Sequence, residues 1–543
     1  MCSRPDFIMI DKISSANKYT PNRDNYRQNP SFNGLVDGAV AAVQLCEKYP
    51  MLNVTALDLS TAIVPRTIIE TKESNGHAGF EAFRREFSGL FVNCLIPSFI
   101  VMGIAKLLQR PLMGGFNKSN LVNTWANSDS IDKIHHFYGS AKGATPKERV
   151  SNTFRSMFNS ISGVDGSNTV EFSKVFKNNS KFEKIIQDLT DAVTADEFDR
   201  KIVKKAYEAL VNETHVAENI KFKNDKAFFA NNLESVCDDT VKMLRGVIKE
   251  NITDEAKLAQ YFKKAKNLVN WKSIGGLGLI IPLAISMQPI NRWITRKTSG
   301  QKGAPIYKDF GKDNEHKELT PKEKRELLAQ KFISIGSMVG VAGLSMFMDR
   351  PSLKMFQFKG LFPTMDQARI ISTATFASRM GAAEDKNELR EATVRDIATF
   401  ASFYFLGDYV AKGIASFIEA RNKDVHLINR LKAPKEGANA LQKLWHWAKH
   451  TTIKSSDELA TAKDKRLRTI CQIGNITFSL LALGVFIPLY TRSKTNKKHA
   501  EELAKQNAEK SQTTMDSSKS DNFSKSLLAD RAAFKAFIRK ESK

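Results

Sequence analysis

Asp408 and Lys412 are the polar pair in this sequence most able to do chemistry in an apolar setting. They lie four residues apart, acidic residue first, in the apolar stretch from Ile397 to Phe417. This spacing places opposite charges on one face of a helix. If that helix lies in a bilayer, an isolated charge is costly, so the pair must face protein or water and could line a path for ions or protons. Two other interpretations stay open: a solvated pair on an interfacial helix, and a buried pair with a structural role.

Two histidines, His446 and His450, have a spacing that can hold a metal ion from one face of a helix. Trp447 follows the first histidine, so the glutamate of the HExxH motif is missing. Together with Trp445, the segment is more typical of a tryptophan-rich helix at a membrane interface. The sequence therefore predicts no metal site.

A group of carboxylates could perform acid/base chemistry or bind a divalent ion. Its members are Glu384, Asp385, Glu388 and Glu391, interleaved with Lys386 and Arg390. Interleaved opposite charges on a helix are typical of a solvated face, which is the structure we expect here.

Other motifs that would assign a reaction are absent. Gly275, Gly276 and Gly278 fit neither GxGxxG nor a phosphate loop ending in Lys-Ser/Thr. The five cysteines are widely separated and form no CxxC pair. No Ser/His/Asp grouping is legible. We expect no catalytic residue, no cofactor and no metal, although an enzyme with an unrecognised site stays open.

Four long uncharged segments must position these residues. They are Phe87–Ala105, Ser273–Asn291, Phe332–Met348 and Thr469–Thr491. The last has no formally charged residue between Arg468 and Arg492, and such a length of helix can cross a hydrocarbon core of about 30 Å. Lysines and arginines flank the segments, and Trp271 and Trp293 frame the second as an aromatic belt would. Buried helices of a soluble domain are the alternative.

The third segment contains Gly336 and Gly340, four residues apart. Small residues at this spacing let two apolar helices approach closely. We expect these glycines to pack a helix of this chain or of a partner, with local flexibility as the alternative.

Residues 110–272 show helical periodicity and are expected to form a soluble helical insert without a strand-rich core. Thr145-Pro-Lys-Glu148 and Thr320-Pro-Lys-Glu323 both have the pattern of a helix start, with threonine as the N-cap. Thr194-Ala-Asp-Glu197 repeats the pattern without proline and predicts a third start.

Composition limits the class of protein. The 543 residues include 82 Lys+Arg and 58 Asp+Glu, a formal net charge of +24. The basic excess gathers beside the apolar segments, which favours anionic lipid headgroups as a partner and makes nucleic acid an unlikely one. The mean hydropathy of −0.33 is too polar for a compact transporter made mostly of membrane helices. A basic amphipathic helix is predicted around Leu527–Ile538.

The sequence thus predicts an all-α, multi-pass transmembrane helical protein with four or five spans, a soluble helical insert and polar termini. We expect a structural or interaction protein of an unspecified membrane, with a transporter or channel using Asp408 and Lys412 as the alternative. The predicted regions are a polar tail (1–34), a helical segment (35–86), a transmembrane helix (87–109), the insert (110–272), a membrane-associated bundle (273–492) and a second polar tail (493–543).

Overall fold

The computed structural model describes residues 50–487 apart from 74–75, 114–125, 226, 230, 300–318, 350–352, 360–362 and 434–435, together with scattered positions on either side. Contacts divide the chain into Met1–Ala42 and Val43–Lys543, and every element below belongs to the second unit. The predicted tail 1–34 and the amphipathic helix around 527–538 lie outside the described residues.

The described chain is mostly helical, as expected. The helices are α1 (Pro50–Leu57), α2 (Val64–Glu73), α3 (Gly76–Leu90), α4 (Ile96–Met113), α5 (Ser128–Ser140), α6 (Pro146–Asn159), α7 (Phe172–Val175), α8 (Ser180–Thr194), α9 (Arg200–Thr214), α10 (Leu233–Lys249), α11 (Glu255–Ser299), α12 (Pro321–Asp349), α13 (Met365–Ala382), α14 (Lys386–Ala401), α15 (Gly407–Arg421), α16 (Ala440–His450) and α17 (Ala462–Ser479). The strands are β1 (Ile161–Asp165), β2 (Asn168–Glu171), β3 (Lys221–Phe222), β4 (Ile428–Arg430) and β5 (Thr451–Ile453).

Wider π-helical turns join several of these helices into longer rods. They are Asp58–Ile63 between α1 and α2, Phe91–Leu95 between α3 and α4, Ser402–Leu406 between α14 and α15, and Leu480–Phe486 after α17. The first two precede Pro65 and Pro97, which have no backbone N–H. The N–H of Val64 donates to Leu59 and that of Ile96 to Phe91, five residues back. The helix therefore continues through Pro65.

Four helical stretches are long and apolar enough to cross a membrane: Gly76–Gln109, Glu255–Lys297, Pro321–Met346 and Ala462–Phe486. Each of these stretches contains most or all of one of the four long uncharged segments seen in the sequence. Only 17–39% of their apolar windows is buried inside the described chain. The stretch from Ile397 to Phe417 is helical but is not among these candidate spans.

A separate hydrophobic core extends from Ala126 to Val269, and we call these residues the helical domain. The sequence predicted helical periodicity throughout this domain. The structure instead also contains a small antiparallel sheet, formed by β2, β1 and β3. The strands are too short to show an alternating pattern. Gly166, with a φ of +62°, allows the tight turn from β1 to β2.

The helix starts at Thr145 and Thr320 are confirmed. The Thr145 hydroxyl accepts from the Glu148 N–H at 3.1 Å, and the Thr320 hydroxyl from the Glu323 N–H at 3.3 Å. The start at Thr194 is wrong. Thr194 ends α8 and its hydroxyl donates back to the Thr190 carbonyl, whereas Asp199 caps α9.

The helix α11 connects the helical domain to a candidate span without a break. Its first part buries Leu258 and Phe262 in the domain core, and its second part buries Ile280 and Ala284 in another cluster beside α4. Lys272 lies between these parts and is fully buried. The predicted boundary between 272 and 273 therefore falls inside one helix.

A second connection precedes the last candidate span. The strands β4 and β5 form a two-stranded antiparallel sheet, from which the Arg430 N–H donates to the Gly166 carbonyl at 2.7 Å. Glu458 accepts from the N–H groups of Ala217 and Glu218 at 2.9 and 2.8 Å. The helical domain is thus tied to two of the four candidate spans.

Glycines permit the closest helix contacts. A Cβ at Gly276 of α11 would lie 2.9 Å from Val101 Cγ2 of α4 and 3.4 Å from Phe358 Cε2. Gly407 of α15 and Gly474 of α17 are similarly close to Asn475 and Ile414 of each other's helix. A side chain at these positions would force the paired helices apart.

We predict that Gly276→Leu destabilises the protein by about 1–3 kcal/mol through overpacking against Val101. Gly278→Leu is the matched control, since no atom lies within 4 Å of a Cβ there. Thermal unfolding of the detergent-solubilised variants checks this, with a lowered transition expected only for Gly276→Leu. Equal transitions for both variants would contradict the packing of α4 on α11.

Candidate functional site

A polar cavity of about 40 Å³ lies among α1, α2, α3, α13 and α14 and their π-helical turns. At about 10–15 Å³ per water, it has room for roughly three waters. We call it the arginine cavity. Its polar lining residues include Asp58, Arg66, Glu86, Asn93, Arg379, Asp396 and Thr399.

Ion pairs run along one wall of the arginine cavity. Arg66 Nη1 lies 3.0 Å from Glu86 Oε1, and Arg379 Nη2 lies 3.4 Å from Glu86 Oε2. Arg379 Nη1 and Arg395 Nε then share Asp396 Oδ1 at 2.8 and 3.2 Å. Arg85 also lies 3.6 Å from Glu86 Oε1 and Glu391 lies 4.0 Å from Arg395 Nη1. Four guanidinium groups thus meet three carboxylates, and this row carries one excess positive charge while Asp58 at the same cavity is protonated.

Several buried polar atoms on this wall lack a hydrogen-bond partner among the described residues. They are Arg66 Nε and Nη2, Arg379 Nε, Glu86 Oε1, Asp396 Oδ2 and Thr399 Oγ1. Their side chains are more than nine-tenths buried. An unsatisfied buried polar group costs about 1–3 kcal/mol, and more when it is charged. These atoms need a partner that the described side chains do not supply.

Asp58 is a third carboxylate at the arginine cavity. Burial, with repulsion from Glu86, raises the pKa of Asp58 to about 7, while attraction from Arg66 and Arg379 opposes the rise. Asp58 therefore changes charge near neutral pH, unlike an ordinary aspartate.

Neutral hydrogen bonds fix the helices that carry the charged groups. Thr375 Oγ1 of α13 donates to Asn93 Oδ1 in the π-helical turn after α3 at 2.8 Å. Ser372 Oγ lies 2.7 Å from the Tyr404 hydroxyl, joining α13 to the turn after α14. These bonds hold Arg379 and Asp396 at the cavity.

Local sequence signals define the same helices. Thr364 and Gln367 form a reciprocal capping box at the start of α13, and the Asp385 side chain accepts from two N–H groups at the start of α14. Arg66 follows Pro65 by one residue, and Glu86 immediately precedes the apolar run of α3 and α4. The cavity therefore lies where charged helix segments meet the first candidate span.

The predicted pair Asp408 and Lys412 lies elsewhere, on α15. Asp408 is exposed, and Lys412 Nζ lies 5.2 Å from the centre of the Tyr409 ring. Because α15 is not among the candidate spans, an intramembrane path through this pair stays a prediction.

The predicted packing glycines Gly336 and Gly340 have no atom within 4 Å of an added Cβ among the described residues. Their face of α12 is open, and packing against a partner helix stays a prediction. In the sequence, Gly276 belongs to a group of glycines that does not fit a phosphate-binding loop. In the structure, Gly276 makes a close contact within the chain.

The carboxylates at the start of α14 are not simply solvated. Glu384 lies 3.0 Å from Arg292 Nη1 and 2.6 Å from Arg296 Nη2, and Glu388 also pairs with Arg292. They join α14 to the end of α11. His446 and His450 lie on α16 with ring centres 4.7 Å apart and ring planes inclined by 49°.

Sequence reasoning missed the residues of the arginine cavity. Arg66, Glu86, Arg379 and Asp396 are not among the candidate residues that the sequence indicates. The available signal was a set of opposite charges next to apolar runs, which predicts burial in pairs. Pairing between helices far apart in the chain has no local pattern.

We predict that Asp58→Asn stabilises the protein at pH 8 more than at pH 5. The folded-state pKa of Asp58 is about 7, above the unfolded value of about 3.9. The free energy of unfolding therefore falls as the pH rises from the unfolded to the folded pKa, and it stays low at higher pH. Asparagine removes this loss. Thermal unfolding in detergent checks the pH dependence, and the exposed Asp408→Asn serves as control. An equal effect of Asp58→Asn at both pH values would contradict the raised pKa of this carboxylate.

The described residues contain no group of three or more His, Cys, Asp or Glu side chains arranged to hold a metal ion. The arginine cavity is small, and the residues that line it carry guanidinium donors, a hydroxyl group and carboxylate oxygens. Such a set of groups can bind a small polar ion. No protein-family model, curated protein or solved structure matches this chain.

Proposed function

We propose that this chain is an integral membrane protein of structural or interaction type that holds the helical domain at a bilayer surface. The supporting observation is the apolar surface that the chain leaves uncovered on its candidate spans. Large apolar side chains are exposed there, among them Leu107, Ile274, Leu279, Phe332, Leu344 and Phe486. Continuous apolar surface of this extent is typical of proteins whose solvent is lipid.

The rigid connection through α11 gives this proposal its geometry. One helix of 45 residues contributes side chains to the core of the helical domain and then exposes Leu279 and Ile285 along the candidate span. Because there is no flexible linker between the two parts, the helical domain would be held at a fixed position above the membrane.

Basic and aromatic side chains support anionic headgroups as the lipid partner. Trp271 and Trp293 are 57% and 61% exposed at the two ends of the apolar part of α11, and Lys297 Nζ lies 5.2 Å from the Trp293 ring. Tryptophan and lysine are enriched at membrane interfaces. This arrangement supports a position of the apolar part of α11 across the hydrocarbon core.

The helix α16 adds a surface contact. Leu441, Leu444 and Trp445 are exposed on it, and Lys443 and Lys449 lie in the same helix. An apolar face next to basic residues suits a helix lying in the headgroup region. Trp447 Nε1 donates to Ser416 Oγ at 3.1 Å and fixes α16 against α15.

Leu279→Arg distinguishes lipid from water as the solvent of α11. Leu279 is 58% exposed, so arginine there would be harmless in a soluble protein. In a bilayer we expect the arginine to make the free energy of membrane insertion less favourable by about 2.5–3.5 kcal/mol. This would be seen as a reduced fraction of protein in the membrane. Leu279→Ala, which removes the side chain without adding charge, should insert like the parent. Normal insertion of Leu279→Arg would contradict the proposal.

The open face of α12 is the proposed contact with a protein partner, including a second copy of this chain. Its apolar window is the least covered of the four, with 17% buried, and Gly336 and Gly340 leave room for a close helix. This is the interaction part of the proposed function.

We expect the parent to self-associate in nanodiscs and Gly340→Leu to be monomeric, because leucine would block close helix approach. Gly278→Leu, with the same substitution on an open position of another span, should associate like the parent. Single-molecule photobleaching measures the number of copies. A monomeric parent, or an unchanged Gly340→Leu, would contradict self-association through this face.

A further inference from the structure

We infer that the arginine cavity binds a phosphate group that carries a hydroxyl, either inorganic phosphate or the terminal phosphate of a lipid. The inference does not depend on how many helices cross the membrane. It rests on the unpaired donors, the unpaired acceptor and the charge of the residues that line this one cavity.

The donors call for an anion. Arg66 Nε and Nη2 and Arg379 Nε are buried without a protein partner among the described residues. Guanidinium groups bind oxyanions through paired N–H donors, and such charge-assisted bonds are about twice as strong as neutral ones. The row of four arginines and three carboxylates also carries one excess positive charge while Asp58 is protonated. A bound anion would neutralise it.

The acceptor restricts which anion fits. Asp396 Oδ1 already accepts from two arginines, whereas Asp396 Oδ2 has no donor among the described residues. An unprotonated oxyanion such as sulfate would place an oxygen against this carboxylate and be repelled. A phosphate that keeps one proton can donate its hydroxyl to Asp396 Oδ2. Thr399 Oγ1, also unpaired, can donate to or accept from the same group.

The size of the cavity fits one such group. About 40 Å³ is room for roughly three waters, comparable to the five heavy atoms of a single phosphate. A phosphate group held by Arg66 of α2, Arg379 of α13 and Thr399 of α14 would join these three helices.

Calorimetry on the purified full chain in detergent tests the inference, with inorganic phosphate and sulfate titrated separately at pH 7. We expect phosphate to bind at least about tenfold more tightly than sulfate, since a misplaced charged hydrogen bond costs about 1.5–3 kcal/mol. Equal binding of the two ions would overturn the role of Asp396, and binding of neither would overturn the site.

Thr399→Val separates binding from folding. Thr399 Oγ1 has no partner among the described residues, so valine should leave the unfolding temperature without phosphate unchanged or slightly raised. Phosphate affinity should fall about tenfold through loss of one hydrogen bond. Arg66→Gln should abolish binding, whereas Arg155→Gln, which breaks an exposed ion pair in the helical domain, should not change it. Unaltered affinity in Thr399→Val and Arg66→Gln would overturn the assignment.

Short-chain lipids distinguish the two sources of phosphate. Phosphatidic acid carries a terminal phosphate with a hydroxyl, and phosphatidylglycerol carries a phosphodiester without one. Competition by phosphatidic acid for the phosphate site would assign a lipid headgroup, and phosphate binding without that competition would assign the free ion. Equal competition by phosphatidylglycerol would overturn the requirement for the hydroxyl.

Discussion

The helix α11 faces two environments with one uninterrupted backbone, and the rest of the architecture depends on this constraint. Over 45 residues, about 68 Å at 1.5 Å per residue, it buries side chains first in the helical domain and then beside α4. Its remaining apolar surface is uncovered by the described chain. The first part of the helix is surrounded by the protein core of the helical domain, and the proposed surroundings of the second part are lipid. The end of the helical domain would therefore mark the level at which lipid begins.

Charges buried in the bundle follow from the same constraint. Removed from water, Arg66, Glu86, Arg379 and Asp396 can persist only as partners of one another. Replacing such a row by apolar residues is often neutral or stabilising in other proteins. A row that leaves guanidinium and carboxylate atoms unpaired is therefore poorly explained by stability alone, and a ligand that completes these bonds accounts for them.

How far the sequence predicts this structure depends on whether the signal is local. Apolar length and the capping patterns at Thr145 and Thr320 are local, and the structure reproduces them. The pattern at Thr194 is equally local but failed, because the apolar face of α8 continues to Val193 and tertiary packing extends that helix. Length and hydropathy also identified the segments that could span a membrane. Length and hydropathy alone do not determine the membrane topology.

Contacts between distant residues had no such signal. The sequence singled out Gly336 and Gly340 because of their spacing, yet Gly276 makes the close contact because Val101 lies opposite it. The arginine cavity combines α2, α3, α13 and α14, whose charged residues each resemble an ordinary helix surface when considered alone. Only the folded arrangement shows that Arg66 and Arg379 share Glu86.

The central claim is that lipid covers the exposed apolar faces of the four candidate spans. Alkaline carbonate extraction of membranes carrying the full chain, followed by sedimentation of the purified protein with and without detergent, tests it most directly. The account predicts that the chain stays in the membrane pellet and is monodisperse only in detergent. Release by carbonate, with a folded monomer in plain buffer, would contradict it.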